Sequence, residues 1–437
     1  MMAASTPGGL ALFSGPDAPK EEDLYSCVHC GFCLQACPTY VETGLETESP
    51  RGRIALMKAV NEGRIGITPT VIRHWDLCIQ CRACEVACPS GVPYGRLIEA
   101  TMTQVARYRR PRLIPRLAAG LLLRRVLPSH RLLSMLVGGL RLYQRTGLRS
   151  LVRKSRVLHL VSAGLASLEA SAPEVPRSKF KADGRVIQPA GERRTRVAVL
   201  SGCVMPLVNG PEMYAMTRVL ARNGCEVVVP RAQVCCGALN SHVGDLDTAR
   251  DLARRNVDAF LDAGVDAVVV ASAGCGIRMK EYGDLLRDDA GYAERAEELS
   301  AIVKDVHEFL VELPFVPPTG RVEYRVTLQD SCHLSHAQRI TEAPRAILRS
   351  IPGVEIAEMA DSSRCCGAGG TYTITQREFS IRLLDNKMSA VDGTQADVLA
   401  TANPGCYLQL QYGVERAGLD TRIRYITDLL DEAYAAE

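Results

Sequence analysis

Two runs of cysteine carry the recognisable chemistry of this chain. Cys27-Val28-His29-Cys30-Gly31-Phe32-Cys33-Leu34-Gln35-Ala36-Cys37-Pro38 and Cys78-Ile79-Gln80-Cys81-Arg82-Ala83-Cys84-Glu85-Val86-Ala87-Cys88-Pro89 share one spacing, C-x2-C-x2-C-x3-C-P. Thiolates so spaced ligate a cubane 4Fe-4S cluster, and where two runs occur in tandem the fourth Cys of each serves the other cluster. The spacing predicts one cluster on Cys27, Cys30, Cys33 and Cys88 and a second on Cys78, Cys81, Cys84 and Cys37. A disulfide framework gives no reason for the repeat or for Pro after each last Cys. A zinc site needs only four ligands, typically in two separated pairs.

The elements around these runs must hold them together. Ser49-Pro50 reads as an N-cap followed by Pro at the first helical position, and Gly63 as the stop, which predicts a helix over 50–62 with Ile54, Met57 and Val60 inward. Thr68-Pro69 opens a second short helix that ends near Trp75 and delivers Cys78. Trp75, the single Trp, is either a packing anchor or an electron relay. Residues 1–20, rich in Gly, Pro, Ala and Ser, predict a mobile tail.

From about residue 194 strands and helices alternate, and the pattern repeats. Val197–Leu200 runs into Cys203, a helix follows over 211–223, then a strand over 226–229 and Cys235-Cys236-Gly237. A helix over 246–263 and a strand over 267–271 lead to Cys275. The second copy sets strands at 324–328, 354–357 and 398–401, helices at 342–350 and 376–390, and Cys332, Cys365-Cys366-Gly367 and Cys406. Corresponding cysteines differ by 129, 130, 130 and 131 positions, the mark of a duplication. Each copy reads as an α/β unit with a small parallel sheet, whose ligands gather at the carboxyl ends of its strands. Paired cysteines need a sharply turned loop, and the Gly after each pair removes a Cβ that would block close approach.

Composition narrows the class. The 437 residues are 47% hydrophobic and 23% charged, ordinary for a globular chain of several domains. The first basic residue is Lys20 and no apolar core follows a charged start, so no signal peptide is expected, and thiolates that hold clusters imply a reducing compartment, the cytoplasm. Net charge is +3, yet residues 100–168 hold fourteen Arg and Lys and no Asp or Glu. In that stretch the apolar blocks 117–123, 132–140 and 151–160 are punctuated by Arg124, Arg125, Arg131, Arg141, Arg145 and Arg149, and none is long enough to cross a bilayer. Pro111, Pro115 and Pro128 exclude one long helix. Basic amphipathic helices suit an anionic membrane face or an acidic partner, and equally a linker that packs on its neighbour with a solvated basic face. Aromatic interleaving and a reader motif are missing, so nucleic acid is not expected. Residues 171–193 read as a linker.

These residues carry a resemblance. The two halves resemble the cysteine-rich CCG domain shared by the heterodisulfide reductases and the iron–sulfur subunits of several flavin-linked dehydrogenases. That pattern has five cysteines per half, ending in C-x-x-C, whereas here the earlier member is replaced by Ser272 before Cys275 and by Asn403 before Cys406. A five-thiolate non-cubane cluster therefore lacks ligands. Cys203, Cys235, Cys236 and Cys275, and Cys332, Cys365, Cys366 and Cys406, remain as sets for a further 4Fe-4S cluster or zinc, or as buried structural cysteines. The order of modules is similar to that of the iron–sulfur subunit of bacterial glycolate oxidase (glycolate dehydrogenase), over about 20–430. It is carried by Cys37-Pro38-Thr39-Tyr40, Pro50-Arg51-Gly52-Arg53, Cys88-Pro89-Ser90-Gly91-Val92 and Asn403-Pro404-Gly405-Cys406. The basic segment after Cys88 is the part least determined by any motif.

The fold expected is α/β with an N-terminal helical two-4Fe-4S ferredoxin module, a basic helical linker and two repeated α/β cysteine-rich domains. The divisions are 1–20 tail, 21–104 ferredoxin domain, 105–193 basic segment and linker, 194–320 first and 321–437 second cysteine-rich domain. No G-x-G-x-x-G follows a strand and opens a helix, so neither FAD nor NAD is expected here, and Gly367-Ala368-Gly369-Gly370 reads as loop backbone beside a Cys pair. The resemblance implies an electron-transfer subunit with no substrate-oxidising site of its own. A separate flavin-bearing subunit would oxidise glycolate to glyoxylate, and electrons would pass toward a membrane quinone, with the chain peripheral on the inner face of the cytoplasmic membrane. Subunits for lactate and glycerol 3-phosphate oxidation share these modules, and a heterodisulfide reductase-type enzyme and a redox-sensing regulator are further alternatives. His333 and His336 beside Cys332 either relay protons to a quinone or pack.

Overall fold

The computed structural model describes residues 10–109, 120–155 and 174–437, with 158, 169 and 172 as isolated positions. Residues 1–9, Pro111, Pro115 and parts of the apolar blocks, 117–119 and 156, 157, 159 and 160, lie outside the described residues.

In the N-terminal module Ser49 caps the helix Pro50–Asn61, accepting from Gly52 N at 3.0 Å, and Thr68 caps Pro69–Asp76 in the same way. Gly52 is required there, because a Cβ would sit 1.9 Å from Glu46 O. Ile54, Met57 and Val60 turn inward as the spacing predicts, and with Trp75 and with Leu97, Ile98 and Val105 of the helix Tyr94–Tyr108 they form one core. Each such side chain stabilises the fold by roughly 1.5–3 kcal/mol on burial. Trp75 is fully buried, its Nε1 donates to Arg53 O at 3.4 Å, and Phe13 stacks on its ring. It is a packing anchor.

That last contact corrects the expected tail. Residues 10–20 are fastened: Ile67 N donates to Ala11 O and Tyr108 Oη to Leu12 O, both at 2.7 Å, and Asp17 pairs with Arg107 and Arg250. Leu12 and Phe13 are short apolar handles that the Gly- and Pro-rich composition around them conceals.

The remainder is built on two sheets. The first comprises β1 (Val186–Ile187), β2 (Thr195–Val199), β3 (Cys225–Val228), β4 (Ala267–Val270) and β5 (Val303–Asp305), in the order β1-β3-β2-β4-β5, parallel except for β1. The second comprises β6 (Tyr324–Leu328), β7 (Val354–Ile356), β8 (Val398–Thr401) and β9 (Arg422–Tyr425), in the order β7-β6-β8-β9, all parallel. Removing β1 leaves the same strand order in both, the duplication written in topology. The strand order turns back on either side of β2 and of β6, so each half has a switch point at the carboxyl ends of its strands. The fourth strands, β5 and β9, are absent from the sequence reading, being short and interrupted by charge. The stretch 171–193, expected as a linker, contributes β1 and the buried Phe180 to the first unit.

One hydrophobic core joins the halves. Val197, Val227 and Val269 of the first sheet and Val326, Leu328 and Val398 of the second belong to a single cluster, filled by Met213, Met216, Leu220, Leu429 and Leu430 from helices. Beside it lie the helices of the basic segment, His130–Arg145 and Leu148–Ser155, separated from a π-helical turn at Leu122–Val126 by Pro128. Among the described residues no helix is long and apolar enough to cross a membrane.

Candidate functional site

None of the seventeen cysteines is joined to another in a disulfide. In the N-terminal module Cys37, Cys78, Cys81 and Cys84 line one cavity together with Pro50, Arg53 and Tyr94. Cys37 comes from the first run and the other three from the second, so the structure brings together four cysteines that the spacing assigns to one cluster across the two runs. Burial pushes the Cys81 and Cys84 thiols well up, and charges on Cys37 and Cys78 push the same way. Among the described residues no three Cys, His, Asp or Glu side chains close on a single ion-sized point. The four sulfurs ring a volume, which suits a cubane because each thiolate binds a different iron corner.

Around the other three cysteines of the first run and the last of the second the arrangement is more open. Cys27, Cys33 and Cys88 pack along the same core, and Cys27 is close enough for its charge to raise the Cys33 thiol, after burial as the leading cause. Cys30 is exposed, and Val28 and Phe32 beside it are 67% and 70% exposed.

A buried cation serves the enclosed site. Arg53 has no exposed surface; its Nε donates to His74 O at 2.7 Å, and its other nitrogens donate to Thr39 Oγ1 at 3.1 Å and Glu48 Oε2 at 2.8 Å. Burial disfavours its charge, but Cys78, Tyr94, Cys37 and Glu48 outweigh that and hold the guanidinium protonated. Thr39 Oγ1 in turn lies 3.2 Å from Cys37 Sγ, and Tyr94 Oη donates to Cys78 Sγ at 3.6 Å. Only Arg53's place in the Pro50–Arg53 motif signalled any of this in the sequence.

Each repeated half gathers its own four thiols beyond its strand ends. Cys203 follows β2, Cys235 and Cys236 follow β3, and Cys275 lies in the helix Ala273–Lys280 after β4. The Cys203 and Cys235 sulfurs are 3.5 Å apart. Hydrogen bonding with Cys203 and with Cys236 holds Cys235 toward the thiolate, while Cys203 and Cys236 are pushed up. In the second half Cys365 and Cys406 do the same to Cys366. Gly367 shows why the residue after a pair is Gly: its φ is +85° and a Cβ would sit 2.3 Å from Ser380 O. The seventeenth cysteine, Cys225, is core in β3, its thiol pushed up to about 12 by burial.

The two positions that break the five-cysteine pattern meet each other. Ser272 Oγ donates to Asn403 Oδ1 at 3.4 Å, Gly274 N donates to the same oxygen at 3.2 Å, and Asn403 Nδ2 reaches Cys406 Sγ at 3.6 Å. A polar bridge between the halves stands where that pattern sets thiols.

The N-terminal module is docked on both halves. Cys81 packs with Ile79, Cys365, Tyr372, Phe379 and Leu383, and Cys332 lies against them. Tyr372 Oη donates to Leu77 O at 3.0 Å. Gln80, between two cysteines of the second run, donates from Nε2 to His242 O at 3.0 Å, and its Oε1 is 2.9 Å from His242 Nδ1. Arg278 pairs with Glu99 at 2.6 Å in a nearly closed site. His333 Nε2 donates to Gln80 O at 3.0 Å and His336 Nδ1 to Cys81 O at 3.2 Å. Burial pulls His333 down to about 3, so it is neutral near pH 7 and serves as a clamp on the second run rather than as a proton carrier.

Comparison with known proteins agrees with this division. The model of a 4Fe-4S dicluster domain matches residues 23–92, that of a cysteine-rich domain matches 197–280 and 326–411, and that of the linker region of the glycolate oxidase iron-sulfur subunit matches 114–172. The chain is 42% identical over 419 residues to a probable glycolate oxidase iron-sulfur subunit of Bacillus subtilis, covering 94% of both chains. It is 34% identical over 421 residues to the glycolate oxidase iron-sulfur subunit of Escherichia coli, covering 95% of both. A lactate utilization protein A of Shouchella clausii is 34% identical over 49% of this chain and 89% of its own length. Identity that runs unbroken through dicluster domain, linker and both cysteine-rich repeats assigns this chain to the family of glycolate oxidase iron-sulfur subunits.

Proposed function

We propose that the chain is the electron-carrying subunit of a flavin-dependent glycolate oxidase complex. In this reading a separate flavin subunit converts glycolate to glyoxylate, and this chain, peripheral on the inner face of the cytoplasmic membrane, takes the electrons toward a quinone. Cys27, Cys30, Cys33 and Cys88 hold one 4Fe-4S cluster and Cys78, Cys81, Cys84 and Cys37 the other, while the two CCG quartets supply thiols for one or two further metal centres, 4Fe-4S or zinc, or stand as structural cysteines. A cubane cluster, once bound, takes up and gives out one electron at a time. The observation that carries the reading is the four-thiol cavity of Cys37, Cys78, Cys81 and Cys84, whose Cys81 is packed against Cys332 and Cys365.

The chain's own residues supply the rest. Arg53 offsets the negative charge of the thiolates around it, and Tyr94 and Thr39 orient individual sulfurs. The exposed Val28 and Phe32 beside Cys30 give a flavin subunit an apolar seat over the outer cluster. The relatives that act in lactate utilization favour a second reading, in which the partner oxidises lactate.

Anaerobic copurification with the flavin subunit tests both. Iron in the chain, and paramagnetic signals of reduced clusters that arise on adding glycolate but not lactate, are expected. Reduction by lactate alone would move the assignment to the second reading, and a chain free of iron would end both.

A further inference from the structure

Among the described residues nothing covers the face of the basic segment turned away from the protein. We infer that the helix His130–Arg145 lies flat on an anionic lipid bilayer, its outer apolar stripe in the acyl boundary and its arginines among the headgroups. The inference rests on the reading of the chain as a carrier to a membrane acceptor, and names the surface by which it reaches that membrane.

The helix has two apolar faces. Leu133 is buried and, with Val137 and Leu127 of its own segment, packs in a cluster with Leu207, Leu239 and Cys203 of the first cysteine-rich half. On the opposite side Leu132, Met135, Leu136 and Leu142 are 44%, 73%, 58% and 65% exposed. With Gly139 they recur at three- and four-residue steps and form one stripe along the helix. A helix that packs only on its own protein shows a polar outer face; this one shows a second apolar one. The excess is regional: eight of the eighteen exposed large hydrophobic residues among those described fall between Leu121 and Leu151.

Charge selects the occupant. Arg131 and Arg145, at the flank of the stripe, and Arg125 and Lys154 nearby are exposed and form no ion pair among the described residues. No acidic residue lies between 100 and 168, whereas the rest of the chain carries a net charge of about −11, the whole being +3 and this segment holding fourteen cations. An anionic surface therefore attracts this side and repels the others, which orients the molecule. Apolar side chains along one helix face, flanked by cations, with no helix among the described residues long and apolar enough to span, describe an interfacial helix. Because the inner face touches Cys203, the first quartet would stand about one helix diameter, roughly 10 Å, from the lipid.

Flotation of the full, iron-loaded chain with vesicles tests this without any electron donor, so its outcome is independent of the carrier reading. Binding is expected to vesicles of phosphatidylglycerol with phosphatidylcholine, weaker in high salt, and much weaker to phosphatidylcholine alone. The variant Met135→Glu with Leu136→Glu should lower binding about tenfold or more while keeping the iron content, and Leu142→Glu should lower it less. A chain that floats with neither vesicle, or variants that float as well as the parent, would overturn the inference. So would a double variant that still floats but no longer copurifies with the flavin subunit, since that assigns the stripe to a protein.

Discussion

The two cysteine quartets are copies of one design set in different company. Both lie beyond the carboxyl ends of equivalent strands, and both keep one thiol of the adjacent pair, Cys235 or Cys366, toward the thiolate. Their neighbours differ. The second quartet meets the N-terminal module, with Cys332 and Cys365 against Cys81, whereas the first is roofed by the basic segment, with Cys203 under Leu133 and Val137. Duplication supplied two equal sites, and the element packed on each made one an inward-facing site and the other an outward-facing one.

The sharpest way to break that contrast is to remove thiols one half at a time. Cys365→Ala with Cys366→Ala should abolish electron delivery beyond the N-terminal module while leaving its reduction by the flavin subunit intact. Cys235→Ala with Cys236→Ala should spare transfer into the second half and stop only the onward step. Stopped-flow reduction of each variant, read as cluster bleaching, separates these; equal behaviour of the two variants would dissolve the distinction.

Next in size is the interface between the halves. Burial lifts the Asp428 carboxyl to about 7, and Glu212 adds to the rise against the pull of Arg424. A raised folded-state value means that the stabilising contribution is present below about pH 4 and is lost as pH climbs toward 7, on the order of 4 kcal/mol in all. The parent should thus unfold more easily at pH 8 than at pH 6, and Asp428→Asn should flatten that fall in denaturant titrations. A parallel pH profile for the variant would contradict it. Arg278→Ala, which strands Glu99 where the N-terminal module docks on the first half, should cost about 3–5 kcal/mol, read as a lowered denaturation midpoint. Tyr372→Phe removes the hydrogen bond to Leu77 O at the second half and should cost only about 0.5–1.5 kcal/mol. If the Tyr372 change proved the more damaging, the docking would depend chiefly on the second half.

Much of this was legible from spacing. The near-constant separation of corresponding cysteines revealed the repeat, and the helix at Pro50–Asn61 announced itself through Ser49, Pro50 and Gly63. What spacing could not reveal was adjacency between distant segments. Nothing local says that Cys81 meets Cys332, that Ser272 meets Asn403, or that Arg53 is sealed against Cys37 and Cys78. Phe13 and Phe180 were hidden for another reason: each is a lone aromatic in a Gly- or Pro-rich stretch, too brief to show a period yet large enough to fill a core. β5 and β9 escaped because three- and four-residue strands bearing Lys304, or Arg422 and Arg424, imitate loops.

Gln80 binds one half through its side chain and the other through its carbonyl, so a single residue of the second cysteine run rivets three modules at one point. A joint of that kind fixes the second cysteine run against both halves at once. In the carrier role proposed above, the gaps an electron must cross would then be set once, when the polypeptide folds, and the tempo of transfer would become a property of the fold. A throttle on that flow would then act most simply from outside, through whatever docks at either end.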